Sequence, residues 1–270
     1  GMLARSLSDD PENFYLTMDH ARRLQTRETP WWVPVPMGRI IYLEDFAEDT
    51  IQWVASGLTG ELTVGRNTAH WMVVLPEHAT ATAAGSLQVT TRTTSPAIGD
   101  QAAATKNFLN PADLPLDATR HIVVGGYFKR TIGANRIDVL DLFIDDAVLK
   151  FQASVAMFND TPQYLDVNGT LVNAGTATYP LEAAGVGLDL TWHLLMMGLQ
   201  YRQNQYLKYD FVKIDDLTVD LPAHPDADTI ATASVRNSTV RPRIYSTVAA
   251  QKEAVWTGIF YGDLTSSRNL

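Results

Sequence analysis

The sequence predicts an all-β sandwich preceded by one short N-terminal helix. Three observations carry that prediction. Apolar and polar side chains alternate with a period of two from about residue 39 onward, no helix-length periodic run follows residue 38, and turn-type residues separate the strand-like segments. Strands without intervening helices exclude the parallel α/β plans and leave a sandwich or a barrel. The expected division is residues 1–38 as a helix and extended arm, and residues 39–270 as the β domain.

The helix comes first. Asp9 or Asp10 caps it, Pro11 suits its first position and Glu12 sits in its positive first turn. Phe14, Met18, Ala21 and Leu24 or Gln25 then recur near helical spacing, which predicts a short amphipathic helix packed on the body. The alternative is an arm docked on a neighbouring subunit, which makes residues 1–38 the candidate segment for self-association. Pro30, Pro34 and Pro36 hold the next stretch extended. Trp31 and Trp32 cannot both point inward from an extended backbone, so one of them is available to a ligand or partner.

The strands follow. Leu87, Val89, Thr91 and Thr93 form one row, and residues 147–157 alternate Leu149, Phe151, Ala153, Val155 and Met157 with more polar neighbours. Val186, Leu188, Leu190, Trp192, Leu194 and Met196 form another row, in which Trp192 reads as packing. Leu217, Val219 and Leu221 alternate with Asp216, Thr218 and Asp220. Asn168-Gly169 predicts a type I′ hairpin between residues 163–167 and 170–173, and residues 200–204 a slightly longer one. Residues 80–85, 94–105 and 222–234 read as loose segments.

Composition bounds the task. The 270 residues contain no cysteine, which removes disulfides, thiolate–metal sites and thiol nucleophiles together. A net charge of −9 disfavours nucleic acid and anionic membrane as partners. No secretory leader is visible after Met2, and residues 194–199 fall far short of the roughly 18–20 apolar residues a bilayer span needs. A soluble chain is the expectation, with its compartment unknown.

Local catalytic signatures are missing. The six histidines form no His-x-His, His-x-x-x-His or HExxH pattern, and no Gly-x-Ser-x-Gly occurs. Glycosidases need two carboxyl groups roughly 5 to 9.5 Å apart. The only acidic pairs two residues apart, Asp10/Glu12 and Asp226/Asp228, fall in proline-containing segments, while Asp141 and Asp145 stand about 13 Å apart along a strand. Acidic clusters at Glu44-Asp45, Asp145-Asp146, Asp215-Asp216 and Asp263 read as turns. No cofactor is expected beyond a structural calcium, placed at Glu44, Asp45 and Asp263. Among the aromatics, Tyr201 and Tyr206 flank a hairpin loop and join Trp31 and Trp32 as candidate saccharide-stacking rings.

Several stretches taken together resemble one group. Glu44-Asp45-Phe46 followed by Gln52-Trp53 is similar to the opening of carbohydrate-associated jelly rolls, and residues 85–91 resemble their Gly-Ser-type second strand. Thr191-Trp192-His193-Leu194 resembles their Trp-His-x-Leu strand. Residues 206–209 and 215–221 look like the meander that follows. Tyr261-Gly262-Asp263-Leu264 resembles the closing strand, departing from it at Gly262-Asp263. The order of these elements over residues 40–266 resembles the concanavalin A-like lectin/glucanase superfamily, particularly its bacterial and phage-associated members. The resemblance implies an antiparallel jelly roll of two curved sheets, with ligands on the concave face or its edge loops. The Glu-x-Asp-x-x-Glu string of its glucanases and the metal loop of its legume-type lectins are both absent. The leading expectation is therefore a non-catalytic, lectin-like module that binds a glycan or serves as an interaction domain. A virion or cell-surface assembly component is the alternative, and a glycoside hydrolase or polysaccharide lyase with carboxylates on separate strands ranks third.

Overall fold

The computed structural model describes residues 37–44, 53–55, 63–66, 86–91, 95–109, 119–132, 135–179, 181, 189–230 and 236–264. The N-terminal helix and the arm with Trp31 and Trp32 lie outside the described residues, as does any self-association through them. The described chain forms strands only: β1 (Met37–Glu44), β2 (Val54–Ala55), β3 (Thr63–Arg66), β4 (Leu87–Thr90), β5 (Gln101–Leu109), β6 (Arg120–Ile132), β7 (Arg136–Asp145) and β8 (Lys150–Phe158). There follow β9 (Thr161–Leu165), β10 (Leu171–Asn173), β11 (Asp189–Arg202), β12 (Tyr206–Ile214), β13 (Leu217–Asp220), β14 (Asp228–Ile230), β15 (Asn237–Ser246) and β16 (Glu253–Leu264).

Two eight-stranded antiparallel sheets result. The first runs β13-β12-β11-β6-β16-β4-β3, with β1 sharing one edge of β16 with β4. The second runs β10-β9-β8-β7-β15-β5-β2, with β14 sharing one edge of β8 with β9. Side chains alternate across each strand, so one face of each sheet meets the other and builds a single core. Leu195, Met197 and Leu199 of β11 and Leu140, Leu142 and Ile144 of β7 all belong to that core. Complete burial of each such side chain contributes roughly 1.5–3 kcal/mol relative to leaving it exposed.

Three local expectations are corrected. The row containing Leu194 and Met196 is not the core face of β11. Those residues point to the outer face of the first sheet and are buried there too, so the strand is apolar on both sides and its alternation does not reveal the inward face. Asn168-Gly169 is not a two-residue turn. Leu165 pairs with Leu171, and the longer loop is closed by Asp166, whose carboxylate accepts the amides of Asn168 and Thr170. Residues 101–105, read as the end of a loose segment, belong to β5, where Ala102 and Ala104 reach the core because small side chains fit there.

Two buried polar groups tie the sheets together. Tyr209 of β12 reaches across the core to β8, where its hydroxyl accepts the Ser154 amide at 2.8 Å and donates to the Ser154 carbonyl at 3.3 Å. Ser154 falls between the stretches of β8 paired by β14 and by β9, so the tyrosine satisfies an amide that neither strand reaches. Burial pushes the Tyr209 hydroxyl far above its ordinary pKa, keeping it neutral. Arg130 of β6 crosses the interior to Asp138 of β7 at 2.6 Å, and Arg136 binds the same carboxylate at 2.8 Å while donating to the Glu253 carbonyl of β16.

The outer face of the first sheet is fitted around glycines. The Phe211 ring of β12 lies over Gly198 of β11, where a Cβ would stand 1.9 Å from a ring carbon. Gly258, in the left-handed region at φ 54°, makes the bulge in β16 that carries Phe260 over Gly125.

Tyr209→Phe keeps the ring and strands the buried Ser154 amide, so urea unfolding should show a loss of about 1–3 kcal/mol. Gly198→Ala should cost about 1–3 kcal/mol through overpacking against Phe211, read as a lower urea midpoint at unchanged slope.

Candidate binding face

The outer face of the second sheet carries the polar constellation of the molecule. On β7, Leu140, Leu142 and Ile144 point into the core, so Asp141 and Phe143 point outward. On β15, Val240 and Ile244 point inward, so Arg241, Arg243 and Tyr245 point outward beside them. Arg241 stands directly opposite Asp141 and Asp141 directly opposite Ser154, which sets an arginine, an aspartate and a serine in one row across three strands.

The contacts follow from that register. Arg241 Nε donates to Asp141 Oδ2 at 2.7 Å, Arg243 Nη2 donates to Asp141 Oδ1 at 3.0 Å, and the Ser154 hydroxyl donates to Oδ1 at 2.6 Å. The Arg241 guanidinium lies 4.5 Å from the Phe143 ring centre, and that of Arg243 lies 4.4 Å from the Tyr245 ring centre. The result is a continuous ladder of ring, guanidinium, carboxylate, guanidinium and ring. Arg243 also donates to the Tyr245 hydroxyl. Lys150 approaches Phe143 on the same face, its ammonium 5.5 Å from the ring centre.

Electrostatics fix the state of Asp141. Burial alone would push its carboxyl up, but the Arg243 and Arg241 guanidiniums and the Ser154 and Arg241 hydrogen bonds outweigh it and hold the carboxyl below the ordinary aspartate range. Asp141 is therefore ionised at neutral pH, with both oxygens engaged. It orients the two arginines and does not serve as a proton donor.

A second polar cluster occupies the outer face of the first sheet. His121 of β6, Gln200 of β11, Asp210 at the β12 bulge and His224 of the following loop converge there. Asp210 contacts His121 Nδ1 at 3.2 Å, His224 Nδ1 at 2.9 Å and Gln200 Nε2 at 2.6 Å. These groups are engaged with one another.

The sequence-predicted residues fall in different places. Tyr201 and Tyr206 point to opposite faces of the first sheet. Tyr201 is 5% exposed and packs edge-on to Phe151 inside the core, so it offers no ring face to a ligand. Tyr206 is half-buried, bonds Thr119 through its hydroxyl at 2.8 Å and has the Lys208 ammonium over its ring. Of the expected calcium ligands, Glu44 and Asp263 are described. Glu44 lies opposite Ile259 on β16, four residues from Asp263, so their backbone positions stand about 13 Å apart along the strand. Asp263 is instead ion-paired with Arg120, and Glu44 accepts the Tyr42 hydroxyl at 2.9 Å. Asp45 lies outside the described residues, and among these no group of three or more acidic or histidine side chains is placed to hold a metal. The Asp145, Asp146 and Asp215 carboxylates cap backbone amides of their own turns or neighbours.

Sequence reasoning missed Asp141, Arg241 and Arg243 as a group. The available signal was Asp138, Asp141 and Asp145 inside an apolar strand, which demands buried cationic partners, together with Arg241 and Arg243 two residues apart on one strand face.

No protein-family model and no curated protein matches the sequence. The chain is similar to solved jelly-roll structures of the carbohydrate-binding and glucanase kind, at low identity. A cellulose-induced protein is 10% identical over 82% of this chain and 96% of its own, with a TM-score of 0.45. A xylan-binding domain from Paenibacillus barcinonensis is 15% identical over 86% and 98%, with a TM-score of 0.36. The Bacillus licheniformis β-glucanase is 10% identical over 82% and 97%, with a TM-score of 0.38. What this protein does is read from its own side chains.

Asp141 gives a pH test. Its depressed carboxyl contributes stability that is fully present above the unfolded value of about 3.9 and is lost as pH falls through the lower folded value. Urea unfolding of the wild type should weaken below about pH 4, and Asp141→Asn should be flatter in that window. At neutral pH the variant should lose about 3–5 kcal/mol because two guanidiniums lose their counter-charge.

Proposed function

We propose that the protein is a non-catalytic, lectin-like module that holds a saccharide across the outer face of its second sheet. The observation that carries this is the ladder Phe143–Arg241–Asp141–Arg243–Tyr245. Its part-exposed members, Arg241 and Tyr245, are held over buried Phe143, Asp141 and Arg243 and offer an aromatic ring and fixed donors, the groups that stack on and hydrogen-bond to sugar rings. Fixing these groups before binding lowers the ordering cost of association.

The same geometry argues against hydrolysis on this face. Asp141 is clamped by two arginines, and Asp145, about 13 Å along β7, turns its carboxylate to the Ala147 amide. No pair at the 5 to 9.5 Å separation of a glycosidase is formed by them. Trp31 and Trp32 keep in this proposal the stacking role read for them in the sequence, whereas Tyr206, on the outer face of the first sheet, takes no part in this site.

Calorimetric titration against a panel of neutral and acidic oligosaccharides tests the reading. At least one class should bind, Tyr245→Ala should weaken it about tenfold through loss of the ring under Arg243, and no reducing ends should be released. Binding by no member of the panel, or release of reducing ends, would overturn it.

A further inference from the structure

We infer that the saccharide this face accepts is anionic, carrying carboxylate or sulfate groups, and that Arg241 is the residue that reads the charge. The inference rests on the binding role just proposed and adds the class of ligand.

It starts from how the donors are used. Arg241 engages Asp141 through Nε alone. Its two terminal nitrogens, with four N–H groups, have no hydrogen-bond partner among the described residues. A guanidinium held by Nε and set over an aromatic ring has its terminal fork restrained in position, and that fork matches the two oxygens of a carboxylate or sulfate. Arg243 is 4% exposed, bonds Asp141, Tyr245 and Gln101 through its terminal nitrogens, and leaves its buried Nε unpaired. Such an orphaned donor is costly in a finished interior.

The charge count points the same way. Three cations, Arg241, Arg243 and Lys150, gather around Phe143 and Asp141; Asp141 serves both guanidiniums, and Asp145 stands directly opposite Lys150. Lys150 has no carboxylate partner among the described residues. Among the other acids on this face, Asp145 also accepts the Ala147 amide, and Asp228 sits at the far edge on β14, beside Gly169. Two guanidiniums sharing one carboxylate leave a local cationic excess at Arg241 and Arg243, against the overall field of a chain of net charge −9. A face built for a neutral saccharide has no use for that excess, whereas one built for an acidic chain needs it to replace the hydration of each anionic group.

The test compares three probes on the intact chain: oligogalacturonate for carboxylate, a sulfated galactan oligosaccharide for sulfate, and cellohexaose as the neutral control. One or both anionic probes should bind at least about tenfold more tightly than the neutral probe at low salt, consistent with charge-assisted hydrogen bonds. That preference should shrink as sodium chloride is raised. The arm that binds distinguishes the two anionic groups. Arg241→Gln should bring anionic binding down to the neutral level, and Arg241→Lys should restore part of it, because charge returns without the fork. Lys150→Gln, on a part-buried side chain without an ion pair among the described residues, should weaken anionic binding about threefold and neutral binding less, which keeps the test valid should Arg241→Gln unfold. Equal binding of neutral and anionic probes, unaffected by Lys150→Gln, would overturn the inference and leave the binding module standing. Failure of every probe would remove both.

Discussion

The hydroxyl of Tyr209 is the point on which the architecture and the binding face both depend. It stands on a strand of the first sheet, crosses the core and closes the gap in β8 at Ser154. The Ser154 side chain, pointing the other way, then donates to Asp141 on the outer face. One residue thus links the packing of two sheets to the orientation of the carboxylate that holds Arg241 and Arg243. A buried hydroxyl and a buried amide each cost free energy if left unpaired, so neither the spacing of the sheets nor the position of Ser154 is free to drift.

The Arg130–Asp138–Arg136 group works differently. It is an ionic tie between the sheets, completely enclosed, with its carboxylate shared by two guanidiniums. Such groups add little net stability compared with apolar residues of the same volume, but they penalise any arrangement in which the partners fail to meet. In a sandwich whose strands are apolar on both faces, as β11 is, alternation alone leaves the registers of several strands weakly distinguished. The ionic tie and the tyrosine supply that distinction. Asp141 repeats the device on the outer side of the sheet, where the terminal nitrogens of Arg241 have no partner among the described residues.

The all-β class was legible because alternation with a period of two is a local property, and Leu217, Val219 and the residues of β4 and β8 display it openly. β5 was hidden because Ala102, Ala103 and Ala104 carry no hydrophobic contrast. β15 was hidden because Pro242 interrupts its run, and a proline argues against a central strand. The binding face was not legible for a different reason. Asp141 and Arg241 are adjacent only because β7 and β15 pair across about a hundred residues of chain. Tyr201 and Tyr206 were close in sequence but point to opposite faces because the hairpin register pairs Tyr201 with Leu207 and Arg202 with Tyr206. Proximity in sequence suggested a stacking pair; the pleat separates it.

A crystal structure of the protein grown with a bound acidic oligosaccharide would address the central claim most directly. The account places the sugar along the outer face of the second sheet, with an anionic group on the terminal nitrogens of Arg241 and the chain running past Tyr245. Sugar density on the first sheet instead, at the cluster of His121, Asp210 and His224, would contradict it.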